Sequence, residues 1–146
     1  MSGSELSDRW FETTVRVRFP ETDSQGVVHH SVYVQYFEIG RTELLRAHGV
    51  PYSELEREGV VLVITDVTAK FVAPARYDDL LTVKTAVERV TRARIYLDYE
   101  IVLQESGVVV CRGSTTLASL SPAGRPSPLP DRLADVLESR ARSSEG

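Results

Sequence analysis

Asp23 lies in the stretch Phe19-Pro20-Glu21-Thr22-Asp23-Ser24-Gln25-Gly26-Val27-Val28-His29-His30, a few residues before an amphipathic run. A helix start offers free N–H groups and positive partial charge. A carboxylate beside such donors can attack a carbonyl, or activate a water, while the donors hold the oxyanion. The same residues also make a turn with no chemistry, since Asp bonds its own backbone and Gly tolerates positive φ. His29 and His30 follow directly, and Asp23 or Glu21 could join them as a third metal ligand. No further His stands at i+4 and Cys111 is distant in sequence, so no metal and no cofactor is expected.

Other charged groups admit two uses. Glu38 sits off the apolar stripe of the run that follows, where pairing with Arg41 is the simplest expectation and catalysis the alternative. Arg89, Arg92 and Arg94 cluster near one strand start, with Lys70 and Arg76 before the preceding turn. Such charges usually solvate strand edges. They also suit phosphate recognition through guanidinium forks.

These residues must be held by regular elements. Phe11, Val15, Val17 and Phe19 alternate with polar residues until Pro20, which predicts a first strand. Tyr33, Tyr36, Phe37, Gly40 and Leu44 recur at helical spacing, which predicts a helix over about 31–48 capped by Ser31. Gly49 and Pro51 end it. Ser53-Glu54-Leu55-Glu56 reads as a capping box, closed by Gly59. Val60 to Phe71 predicts one long strand with a bulge near Thr65-Asp66.

Further strands are expected around 81–88, 93–104 and 108–120, with a hairpin at Glu105-Ser106-Gly107 and a weak point or close approach at Gly113. Residues 122–130 hold four prolines and precede a short helix, about 131–142, capped by Asp131. Residues 1–8 and 143–146 are expected to fray. The sum is a single α+β domain over 1–146, with its core at about 11–121. An antiparallel sheet wraps around one long central helix, with strand one placed centrally.

Composition narrows the function classes. The chain has 146 residues, net charge −4 and one cysteine. That offers no nucleic-acid footprint and no intrachain disulfide. No apolar run approaches the ~20 residues of a membrane span, and the first residues are polar, so a cytoplasmic protein is expected.

Glu21-Thr22-Asp23-Ser24-Gln25-Gly26-Val27-Val28-His29-His30-Ser31-Val32-Tyr33, with Tyr36-Phe37-Glu38 and Arg41, resembles the signature of hotdog-fold acyl-CoA thioesterases. The likeness is to the 4-hydroxybenzoyl-CoA thioesterase-like group, including its Tol–Pal-associated branch. Phe71-Val72-Ala73-Pro74-Ala75-Arg76-Tyr77-Asp78-Asp79 is similar to the family's Pro-Ala turn. Val90-Thr91-Arg92 through Tyr99 is a weaker match.

The resemblance implies metal-free hydrolysis of an acyl-CoA thioester by a homodimer or homotetramer whose sheet continues between subunits. It implies Asp23 as nucleophile or general base and the His30 backbone N–H as oxyanion donor. Gly26, Val28, Tyr33, Arg92 and Arg94 are the expected substrate-binding residues. His29, Val32 and Arg94 depart from the common pattern, which bears on the acyl group accepted. An acyl-binding module without catalysis, or a dehydratase or thioesterase acting on acyl carrier protein, is the alternative.

Overall fold

Alternating apolar and polar residues build five strands: β1 (Phe11–Arg16), β2 (Val61–Phe71), β3 (Leu80–Val90), β4 (Arg94–Leu103) and β5 (Val109–Leu120). Helical spacing builds α1 (Val32–Ala47), α2 (Tyr52–Arg57) and α3 (Asp131–Glu145). These elements come from a computed structural model that describes residues 9–145. The expected fraying of residues 1–8 and of Gly146 lies outside the described residues.

The sheet is antiparallel throughout, in the order β1-β3-β4-β5-β2. β1 is therefore an edge strand and not the central one expected. Short turns tie β3 to β4 and β4 to β5, which takes both sides of β4. β1 and β2, each followed by a longer excursion, can only add at the two ends.

One face of the sheet carries Leu81, Val83, Thr85 and Val87 of β3 and Ile95, Leu97, Tyr99 and Ile101 of β4, all buried. α1 crosses this face with Tyr33, Tyr36, Phe37, Gly40 and Leu44 buried. Phe37 stacks on Tyr99, with ring centroids 4.4 Å apart. Two glycines permit the approach. A Cβ on Gly40 would collide with Thr85 Oγ1 and Val83, and one on Gly113 with the Thr68 carbonyl and the Phe37 ring.

α3 packs on β3, burying Leu133 and Leu137. The sheet thus covers two helices and not one. α3 runs to Glu145, beyond the expected 142, and Ala141 packs against the core. Arg132 pins its start to Glu54 at 3.3 Å and Glu58 at 3.0 Å. No helix among the described residues is long and apolar enough to cross a membrane.

Local details differ from expectation in three places. Strand one stops at Arg16, and Phe19 turns outward, 71% exposed, in a 3-10 turn over Phe19–Glu21. Ser31 precedes α1 in helical geometry without capping it, because its hydroxyl bonds His29 Nδ1 at 2.8 Å. Pro51 occupies the N-cap of α2, so Ser53 already lies inside that helix and forms no capping box. The β2 bulge stands where the alternation slips, between Ile64 and Asp66.

Candidate active site

The loop from β1 to α1 is built around Glu21. Its carboxylate accepts bonds from the Arg18 N–H at 2.8 Å, the Arg18 Nε at 3.2 Å and the Tyr36 hydroxyl at 2.8 Å. Its carbonyl accepts the His29 N–H at 2.9 Å. Burial raises the Glu21 pKa, but the hydrogen bonds and the Arg18 charge win and hold it below the ordinary value. Glu21 is thus a structural clip.

Asp23 closes the inner turn. Its N–H donates to Val27 O at 2.8 Å, and its carbonyl accepts Gly26 N–H at 2.9 Å. Oδ1 accepts from Gln25 N–H at 2.8 Å and Val27 N–H at 3.3 Å. Oδ2 makes no hydrogen bond among the described residues. Gly26 has φ 82° and serves the turn without lining a wall. Val28 N–H donates to Ala75 O at 2.8 Å, which docks the loop on the segment after β2.

This folding brings Asp23, Val28, His30 and Tyr33 into one open cleft of about 370 Å³. Its other walls come from Val27 and from the Phe71–Pro74 segment. Val28 and Tyr33 are buried, while His30 is exposed with its ring 6.2 Å from that of Phe71 in an edge-to-face arrangement. The His30 N–H makes no hydrogen bond among the described residues. It precedes the first turn of α1, whose dipole adds positive potential there. Burial pushes the Tyr33 phenol up to about 12, so it stays protonated at neutral pH. Cys111 is buried and pushed up to about 11, which removes it as a nucleophile.

The sequence places Phe71 in the Pro-Ala turn motif; its ring lies 5.6 Å from Tyr33 and forms a cleft wall. An aromatic ending a strand just before Val72-Ala73-Pro74 is the signal the sequence offers. Glu38 does not approach Asp23. It is exposed on a second, larger cleft, and it forms no ion pair with Arg41, contrary to expectation. An i,i+3 spacing permits such a pair but does not compel it.

Arg92 and Arg94 also stand apart from Asp23 within one chain. Arg92 O accepts the Leu129 N–H at 2.9 Å. Arg94 Nη1 reaches Thr65 Oγ1 at 3.5 Å, and Arg89 lies over the Tyr96 ring at 3.8 Å. Thr65 is six residues before Phe71 on β2, roughly 20 Å away along the strand. Among the described residues no three His, Cys, Asp or Glu side chains converge as a metal site.

Residues 17–137 match the family described as the thioesterase-like superfamily. The chain is 36% identical over 96 residues to the acyl-CoA thioester hydrolase YbgC of Escherichia coli, covering 66% of this chain and 72% of that one. It is 33% identical over 118 residues to a chloroplastic acyl-acyl carrier protein thioesterase of Arabidopsis thaliana, covering 75% of this chain and 62% of that one. Among solved structures, the DHNA-CoA thioesterase of Staphylococcus aureus superposes with TM-score 0.82 at 28% identity, covering 93% of this chain and 90% of that one.

Proposed function

The chain belongs to the thioesterase-like superfamily and is a thioester hydrolase of hotdog fold, and from that premise we propose that it hydrolyses acyl-CoA thioesters with Asp23 as nucleophile or general base. The observation that carries this reading is that Asp23 and His30 line one cleft. Among the described residues, one Asp23 carboxylate oxygen is uncommitted and the His30 N–H, at a helix start, is unbonded. The thioester carbonyl accepts the His30 N–H, which stabilises the oxyanion as it forms. Asp23 then either adds to the carbonyl carbon or takes a proton from a water that adds there. The first route expels thiolate and leaves a mixed anhydride for water to open. The second gives the acid directly. Thiolate leaves without strong acid assistance, which suits a cleft whose one phenol is held protonated.

The exposed edge of β2 supports a homodimer. Every residue from Ile64 to Phe71 is exposed, including Val67 and Phe71. Two such edges pair antiparallel about a two-fold axis that must pass through a residue, since opposed residues share a face. Thr68 is the favoured centre. It sets Asp66 opposite Lys70 of the second copy, twice, with opposite charges meeting on the outer face. Phe71 then faces the Thr65 end of the second copy, where Arg94 sits. Arg92 and Arg94 of one copy thereby serve the phosphates of coenzyme A bound at the Asp23 cleft of the other. The dimer could pair further into a tetramer.

Thiol release from a panel of acyl-CoAs and acyl carrier proteins tests the function. Turnover of short, long or aromatic acyl-CoA supports it. Turnover of carrier-bound acyl groups alone reassigns the thiol carrier, and no turnover on either makes the domain a binding module.

A further inference from the structure

The larger cleft, about 420 Å³, lies between the C-terminal half of α1 and the sheet. Leu44, Leu45, Ile95, Leu97 and Leu117 make its wall apolar. Arg41 is the one cation among its described lining residues. The side chain is half-buried, and Nη1 is fully buried without a hydrogen-bond partner among the described residues. Arg41 forms no ion pair with any described residue, and Glu38, one turn earlier, stays exposed at the rim. The guanidinium does lie beside the Tyr99 hydroxyl, which burial pushes up and which the Arg41 charge and hydrogen bonding with Thr115 and Arg41 draw back, so this phenol is a polar neighbour of Arg41 and not a counter-ion. That hydroxyl already shares a bond with Thr115 at 2.7 Å.

A cation partly removed from water without an anion is costly, and apolar walls raise the cost. A ligand carboxylate satisfies the charge and matches the planar fork, while an attached hydrocarbon fills the leucine-lined space. The volume falls within the ~300–1,000 Å³ usual for small-molecule sites. We infer that this cleft binds a carboxylate carried on an apolar group, with Arg41 as its counter-ion.

Two sources present that chemistry. One is a free aliphatic acid, the kind of product thioester hydrolysis releases. The other is the far end of an acyl group bearing a second carboxylate. The latter rests on the proposed dimer, in which the Ile64 wall of this cleft lies beside Phe71 of the second copy and so near that copy's Asp23.

Calorimetry with octanoate, octanol and octylammonium tests the binding without any turnover, so it is decided separately from the hydrolase reading. Wild type should bind octanoate at least 10-fold tighter than octanol and reject octylammonium. Arg41→Met, similar in volume, should bind octanoate and octanol alike, and Arg41→Lys should keep part of the preference. Glu38→Gln should tighten octanoate a few-fold by removing a like charge.

Kinetics then separate the sources. If the distal carboxylate is the ligand, wild type prefers ω-carboxyoctanoyl-CoA to octanoyl-CoA in kcat/KM, and Arg41→Met loses that preference. If the free acid is the ligand, octanoate inhibits wild type, and Arg41→Met relieves the inhibition with the substrate ratio unchanged. Equal affinity of wild type for octanoate and octanol overturns the inference, and so does an octanoate preference that survives in folded Arg41→Met. Should Arg41→Met fail to fold by circular dichroism, the wild-type ligand comparison alone decides.

Discussion

The Tyr36 hydroxyl donates a 2.8 Å hydrogen bond to Glu21, fifteen residues earlier, and so stitches the loop that carries Asp23 to the buried face of α1. Burial opposes ionisation of Glu21, but its bonded partners win and lower its pKa from 4.5. Its contribution to stability is therefore fully present above about pH 4.5 and is lost as pH falls through the lower folded value. Glu21→Gln should cost about 2 kcal/mol at pH 7. It should also flatten the loss of stability below pH 4.5 in urea melts taken against pH. A double cycle with Tyr36→Phe should show coupling, and strict additivity would mean the bond carries no stability.

Asp23→Asn keeps the size of the side chain and much of its turn bonding through Oδ1, while removing charge and basicity. It should melt like wild type and lose at least about 10²-fold in kcat. Chelators should leave wild-type turnover unchanged. Near wild-type turnover by Asp23→Asn would transfer the role to another carboxylate, with Glu38 first to be tested.

Thr68→Cys tests the assembly. A residue that faces its own copy across an antiparallel pair has a Cα separation of about 4.5–5.5 Å, within disulfide reach. Cys111 is buried and will not compete. Mild oxidation should convert Thr68→Cys to a covalent dimer on a non-reducing gel, while Thr65→Cys should not link to itself. A monomer mass for wild type in light scattering at micromolar concentration would rule out the pairing altogether.

Arg92→Ala and Arg94→Ala report on coenzyme A. If these arginines bind its phosphates from the second copy, each variant should raise KM several-fold with kcat nearly constant, and added salt should do the same to wild type. Unchanged KM in both would return them to solvated strand ends, where Thr65 is the polar neighbour of Arg94.

Local sequence determined the elements, because periodicity and turn chemistry act over a few residues. The stripe Tyr33, Tyr36, Phe37, Gly40 and Leu44 became α1 within a residue of its expected ends, and the slip in alternation at Thr65-Asp66 became the β2 bulge. The crowding of Asp23, Gly26 and His30 into eight residues made the inner turn legible, since the hydrogen bonds of Asp23 with Gln25, Gly26 and Val27 close within the loop itself. Tertiary structure decided what depends on distant partners. β1 went to the edge because β3 and β5 claim both sides of β4. Phe71 reached the Asp23 cleft because β2 ends beside the start of α1, a proximity with no trace in their separation along the chain. Arg41 and Glu38 stand one helical turn apart and could have paired. The sheet beneath them half-buried the Arg41 side chain beside Tyr99 and left the Glu38 carboxylate in water, because the burial of a long side chain is set by what packs against it.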